Sequence, residues 1–199
     1  MGAADPSLIM TRPFQHLLCV ATLSLFLSGC LSLGGPALEP RYFAIGESSS
    51  ATPEGPDHPV TLVLGEQRSA AHLRDRIAWS DGATEVGFFE DLRWVEPPAD
   101  SVGRHLRRAF RQLDAEPDST VFRVEIELFA FELERRDSPS ALLELRADFR
   151  NSAGAYVESL DVEIRRELTD EDPKQLAAAL GAALADASNA IIMRSASLR

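Results

Sequence analysis

Four histidines, two cysteines, a comb of carboxylates and one arginine cluster are the groups through which this chain could do chemistry. Beyond His16, the histidines are His58, His72 and His105. They follow no His-x-x-x-His spacing and no glutamate-rich ligand pattern, so no metal site and no cofactor is assigned. No Gly-x-Gly-x-x-Gly, Walker loop or Gly-x-Ser-x-Gly occurs. The carboxylates alternate with apolar residues, as a solvated sheet face requires, rather than pairing for acid–base work. No enzyme is read from these residues. Arg104, Arg107, Arg108 and Arg111 gather positive charge in a chain of formal net charge −11. They read either as a solvated helix face partly paired with carboxylates or as a docking patch for an acidic partner surface. Trp79 and Trp94 read as packing residues or binding anchors. Phe88-Phe89 reads as one ring in and one out.

The cysteines differ in setting. Leu17 to Leu27 forms an uncharged apolar run, preceded by Arg12 and closed by Ser28-Gly29-Cys30. The run suits a secretory signal core and is shorter than the roughly 20 apolar residues a membrane span needs. Leu27-Ser28-Gly29-Cys30 resembles the bacterial lipoprotein signal. The resemblance implies cleavage after Gly29, a diacylglycerol on the Cys30 thiol and a third acyl chain, such as palmitate, on its amine. At roughly 0.8 kcal/mol per buried methylene, three chains anchor where one binds only marginally. Cys19 leaves with the signal, so the mature chain offers no disulfide and no thiolate site. Met10, before Thr11-Arg12-Pro13, is an alternative start. Residue 31 is Leu. The resemblance associates Asp at that place with inner-membrane retention, so Leu31 implies the outer membrane.

Removing the first 29 of 199 residues leaves 170, enough for one domain with a core, and leaves the net charge at −11 because Asp5 and Arg12 depart together. That charge disfavours nucleic acid. It gives no broad attraction to anionic headgroups, so a lipid anchor must hold the protein at a membrane. Three stretches are expected: a signal peptide over 1–29, Cys30 with a short flexible Gly- and Pro-punctuated tether over 30–40, and one domain over 41–199.

Within the domain, Arg41-Tyr42-Phe43-Ala44-Ile45 reads as a short strand, 46–59 as a loop and Val60 to Gly65 as a buried strand. Leu73 to Trp79 and Thr84 to Phe89 flank Asp81-Gly82, a hairpin signal. Trp94 to Pro98 leads into a helix with Val102, Leu106, Ala109, Phe110 and Leu113 on one stripe, ended by 114–119. Phe122, Val124, Ile126 and Leu128 alternate with charged residues, and then the phase flips to Phe129, Phe131 and Leu133. One extra residue, a β-bulge, would produce that flip. Two further alternating strands cover 143–150 and 160–165, joined by Asn151-Ser152-Ala153-Gly154. Asp172-Pro173 opens a last helix carrying Leu176, Leu180, Ala183, Leu184, Ala187 and Ile191. The expected class is α+β: an antiparallel sheet with two helices packed on one face, preceded by the lipoprotein signal and tether.

With the signal, the segments Arg41-Tyr42-Phe43, Leu73-x-Asp75-Arg76-Ile77-x-Trp79 and Phe89-x-x-Leu92-x-Trp94-x-Glu96-Pro97 resemble the ABC-type transport auxiliary lipoproteins, the PqiC-like family. Val124 to Phe131 resembles that family's central strand. Asp100-Ser101-Val102-Gly103 departs from it as a weaker helix start. The resemblance implies a non-catalytic part of an intermembrane lipid transport system that supports envelope integrity. Its partners would be an ABC permease and ATPase and a lipid-carrying MCE-domain (MlaD-like) periplasmic protein. The chain would sit on the periplasmic face of the outer membrane, alone or as a homo-oligomer. Two other readings stay open: a structural lipoprotein of the kind that plugs a lipopolysaccharide-export barrel, and a lipid-binding carrier.

Overall fold

The computed structural model describes residues 38–46, 60–113 and 118–198. The chain divides into two units, Met1–Glu39 and Pro40–Arg199. Of the first, Leu38 and Glu39 are described, and both are exposed. The expected signal peptide, Cys30, most of the tether, His58 and most of the 46–59 loop lie outside the described residues.

The second unit runs β1 (Arg41–Phe43), β2 (Val60–Ser69), β3 (Arg76–Ser80), β4 (Val86–Trp94), α1 (Pro98–Arg111), β5 (Thr120–Arg135), β6 (Pro139–Arg150), β7 (Tyr156–Glu167) and α2 (Pro173–Ser197). Seven strands make one sheet in the order β1-β4-β3-β5-β6-β7, with β2 also on β5. The α+β class therefore holds. The sheet, however, is mixed rather than antiparallel. β3–β4, β5–β6 and β6–β7 are antiparallel, but β1 pairs β4, and both β2 and β3 pair β5, in parallel. In-and-out alternation is the same for either strand direction. What sets direction is the long crossover from β2 to β5, which includes α1, and parallel neighbours require such a connection.

β5 is the organising strand. Phe122, Val124, Ile126 and Leu128 are buried toward the helices. The register with β6 slips between Leu128 and Ala130, and Phe131 and Leu133 then resume the buried face. The bulge falls where the apolar phase flips in the sequence. It also divides the other edge of β5, with β2 pairing Thr120 to Leu128 and β3 pairing Leu133 and Glu134. Trp94, last residue of β4, packs edge-to-face on Phe131 with ring centroids 5.7 Å apart, so this tryptophan is core. The Asp81-Gly82 hairpin forms as expected, with Ser80 opposite Val86. Asp81 Oδ1 accepts N–H bonds from Ala83, Thr84 and Glu85, and Gly82 takes φ +73°.

Both helices sit over the same apolar sheet face. α1 packs on β2, α2 on β6 and β7, and the two touch. α1 buries Val102, Leu106 and Phe110. Its N-cap is Pro97, without a side-chain cap, but Glu96 just before it accepts a 2.7 Å bond from the Ser101 hydroxyl. α2 starts as expected, Asp172 accepting from the N–H of Lys174 ahead of Pro173. By length and composition α2 could cross a membrane, yet Leu176, Leu180, Leu184, Ile191 and Ile192 are all buried in the domain core. Each such side chain contributes about 1.5–3 kcal/mol on burial.

Gly181 marks a close approach. A Cβ built there would stand 2.4 Å from the carbonyl oxygen of Gly46. In a solvated helix Gly→Ala gains about 1 kcal/mol. Here Gly181→Ala should instead cost about 1–3 kcal/mol, because backbone on both sides must separate. Urea unfolding of the two proteins checks the sign, and a stabilised variant would contradict this packing.

Candidate interaction surface

α1 presents its apolar stripe to the sheet and the opposite side to solvent. Arg104, Arg107, Arg108 and Arg111 are all exposed there. Their spacing of 3, 1 and 3 residues puts them on one face of a 3.6-residue helix. Arg104 also bonds and ion-pairs with Glu96 across the helix start. That bond, countered by burial and joined by the Ser101 hydroxyl, holds the Glu96 carboxyl below its usual range. Arg108 and Arg111 fall in the last turn, where cations complement the helix dipole. The structure thus brings the four arginines together on one outward ridge. His105 is half-buried beside them.

The sheet face turned away from the helices is charged and largely self-neutralised. Arg150 Nε lies 2.9 Å from Glu125, and Arg146 bonds Asp161 at 2.7 Å. Arg165 pairs with Glu163. Toward the β3–β4 hairpin the same face closes over. Glu134, 1% exposed, receives Arg165 Nε at 2.8 Å, Arg136 Nη2 at 2.9 Å and the Ser140 hydroxyl at 3.4 Å. Burial pushes its carboxyl up, but the Arg165 hydrogen bond and the Arg165 and Arg136 charges outweigh this and hold it below the ordinary range. Arg136 also donates to the Gly82 carbonyl at 3.2 Å, so the turn covers the ion pair. Glu132, 4% exposed, has the His72 imidazole 3.4 Å from Oε2. Among the described residues no three His, Cys, Asp or Glu side chains gather as a metal-binding group.

Four arginines lie over aromatic rings around the sheet. The Arg135 guanidinium stands 4.4 Å from the Trp79 ring and 5.2 Å from Phe89, and it is forked onto Glu171 at 3.0 and 2.6 Å. Arg76 covers Phe88 at 4.9 Å, Arg146 covers Phe129 at 5.8 Å and Arg41 covers Phe43 at 5.4 Å. Phe88 and Phe89 do point to opposite faces, but both are half-buried and each is capped by an arginine. Trp79 is likewise half-buried under Arg135 rather than presented as an open anchor.

Residues 46–192 match the family model described as ABC-type transport auxiliary lipoprotein component. This chain belongs to that family. Its role is accordingly that of an auxiliary component of an ABC-type transport system. The crystal structure of protein XCC0632 from Xanthomonas campestris, of family DUF330, is similar with a TM-score of 0.68 and 21% identity, over 78% of this chain and 95% of that one. The crystal structure of an uncharacterized protein is similar with a TM-score of 0.56 and 11% identity, over 79% and 98%. At these identities the likeness speaks for the fold. Comparison with curated proteins gives no match.

For an auxiliary lipoprotein, the side chains that strand alternation places wrongly are instructive. Glu132 and Glu134 alternate as if solvated, yet the 70–75 loop and the hairpin turn bury them. The sequence signal available was the run Glu134-Arg135-Arg136, charges too dense for a plain strand end. The Glu134 carboxyl, held below its ordinary value of 4.5, contributes stability that is present above that value and lost as pH falls through and below it. Glu134→Gln should therefore cost about 1–3 kcal/mol at pH 7. Its deficit against the unaltered protein should shrink as pH drops below 4.5. Denaturant unfolding across that range measures it, and a pH-independent deficit would rule out the ionic origin.

Proposed function

We propose that this protein is a non-catalytic docking lipoprotein of an ABC-linked intermembrane lipid transport system, tied by lipid on Cys30 to the outer membrane and facing the periplasm. One conjunction carries the reading. The chain that matches the auxiliary lipoprotein family also closes the apolar run Leu17 to Leu27 with Ser28-Gly29-Cys30, and Leu31 follows. In such a system a permease and a cytoplasmic ATPase work at the inner membrane, and an MCE-domain (MlaD-like) protein spans or shuttles through the periplasm with the lipid.

The α1 ridge is the docking surface for that partner. A chain of net charge −11 repels an acidic surface nearly everywhere, so a local ridge of arginines at 104, 107, 108 and 111 selects both partner and orientation. The interior supports docking over lipid carriage. Leu106, Leu180, Leu184, Leu143, Leu145 and Phe149 close the helix–sheet interface with full burial.

Arg107→Glu with Arg111→Glu reverses the outer row and leaves the Arg104–Glu96 pair in place. Against the MCE-domain protein of the same transport system, the double variant should bind at least tenfold more weakly. Wild-type binding should weaken as salt rises, since exposed charges are screened. Its melting temperature should stay within a few degrees of wild type. Unchanged affinity in the folded variant would remove the ridge from the docking role.

A further inference from the structure

β1 is the first element after the tether and an outer strand of the sheet. On it and beside it stand two of the most exposed large apolar residues of the domain, Tyr42 at 63% and Val95 at 62%. They are neighbours. Tyr42 lies opposite Arg93 in the parallel β1–β4 register, and the Val95 N–H bonds the Phe43 carbonyl at 3.0 Å. Arg93 is half-buried between them, its Nη1 donating to the carbonyls of Leu92 and Phe89 at 2.9 and 3.3 Å. Asp75 stands 3.7 Å from its Nε. A phenol and an isopropyl group therefore share one exposed patch, with the Arg93 guanidinium beneath it already engaged by backbone carbonyls and Asp75.

We infer that this patch is the face the domain lays against the bilayer, and that its occupant is the phospholipid headgroup layer. The inference rests on the anchoring read above and says which way the anchored domain turns. Ten residue steps separate Cys30 from Pro40. Such a chain reaches at most about 35 Å fully extended. A unit of the size of Pro40–Arg199 is about 40 Å across. A tether of that length keeps the β1 end near the membrane while the far end stands off. The patch has the chemistry of that zone. Tyrosine places its ring in the acyl boundary and its hydroxyl among headgroups, and valine adds aliphatic surface. A patch this small would not bind membranes unaided, and the acidic surface gives no help. Held at high effective concentration by the lipid, it needs only to choose the orientation.

The mature lipidated protein has Cys30 acylated, so a single introduced cysteine can carry an environment-sensitive fluorophore. Tyr42→Cys and Val95→Cys report the patch, labelled one at a time. Val86→Cys is the control: 49% exposed, it begins the strand that Trp94 ends, about 26 Å away. In phosphatidylethanolamine–phosphatidylglycerol vesicles, flotation reports the anchor and emission reports the patch. The expected result is blue-shifted emission at 42 and 95, quenched at least twofold by lipid-borne nitroxide, with aqueous emission at 86. Flotation with aqueous emission at all three sites overturns the orientation and leaves the anchor standing. Failure of the lipidated chain to float overturns both. Blue-shifted emission that lipid nitroxide does not quench assigns the patch to a protein surface, a second copy included, and overturns the lipid occupant.

Discussion

A sixteen-residue strand cannot keep one row of apolar side chains on a helix-covered face unless its phase is reset, and β5 resets it between Leu128 and Ala130. Sheet twist turns a long strand away from a straight helix pair, and one additional residue restores the facing. Much else depends on this slip. Before it, β2 occupies the free edge of β5, and after it β3 does, with Ala70 to Asp75 bridging the gap. The β3–β4 hairpin is thereby set beyond the bulge, and β1 is carried on the end of β4. Trp94 closes the junction by packing on Phe131, the first large core residue past the slip.

Features that depend on local periodicity were legible in the sequence. The apolar stripes of α1 and α2, the Asp172-Pro173 helix start, the Asp81-Gly82 turn and the phase flip in β5 all come from spacing within a dozen residues. Features that depend on which strands meet were not. The parallel β1–β4 and β2–β5 pairs are invisible to alternation, which is identical for both directions. Arg135 finds Trp79 and Glu171 only because the fold joins residues far apart in the chain. Glu132 and Glu134 alternate like solvated residues and are buried by loops whose course no single strand encodes. The arginine ridge on α1 lay between these cases: its helical spacing was readable, and its pairing with Glu96 across the uncapped helix start was not.

Charge divides the molecule's surfaces by task. The sheet face away from the helices spends its arginines on neighbouring carboxylates, as Arg146 does on Asp161 and Arg150 on Glu125, which blunts that face toward other molecules. α2 turns Leu176, Leu180, Leu184, Ile191 and Ile192 into the domain, and its flank is fastened to β7 through Arg166–Asp186 and Glu158–Arg194. Among the described residues, the arginine ridge of α1 and the small apolar patch at β1 both face outward. The proposed anchor, the arginine ridge and the β1 patch are mutually consistent with an auxiliary component that meets both a partner and a membrane.

The anchor is the premise that gives both contacts their meaning, and the intact mass of the chain recovered from the cell envelope tests it most directly. The account predicts a polypeptide that begins at Cys30 and is heavier than its residues by a diacylglycerol and one further acyl chain. An unacylated chain that still begins at Met1 or Met10 would contradict it.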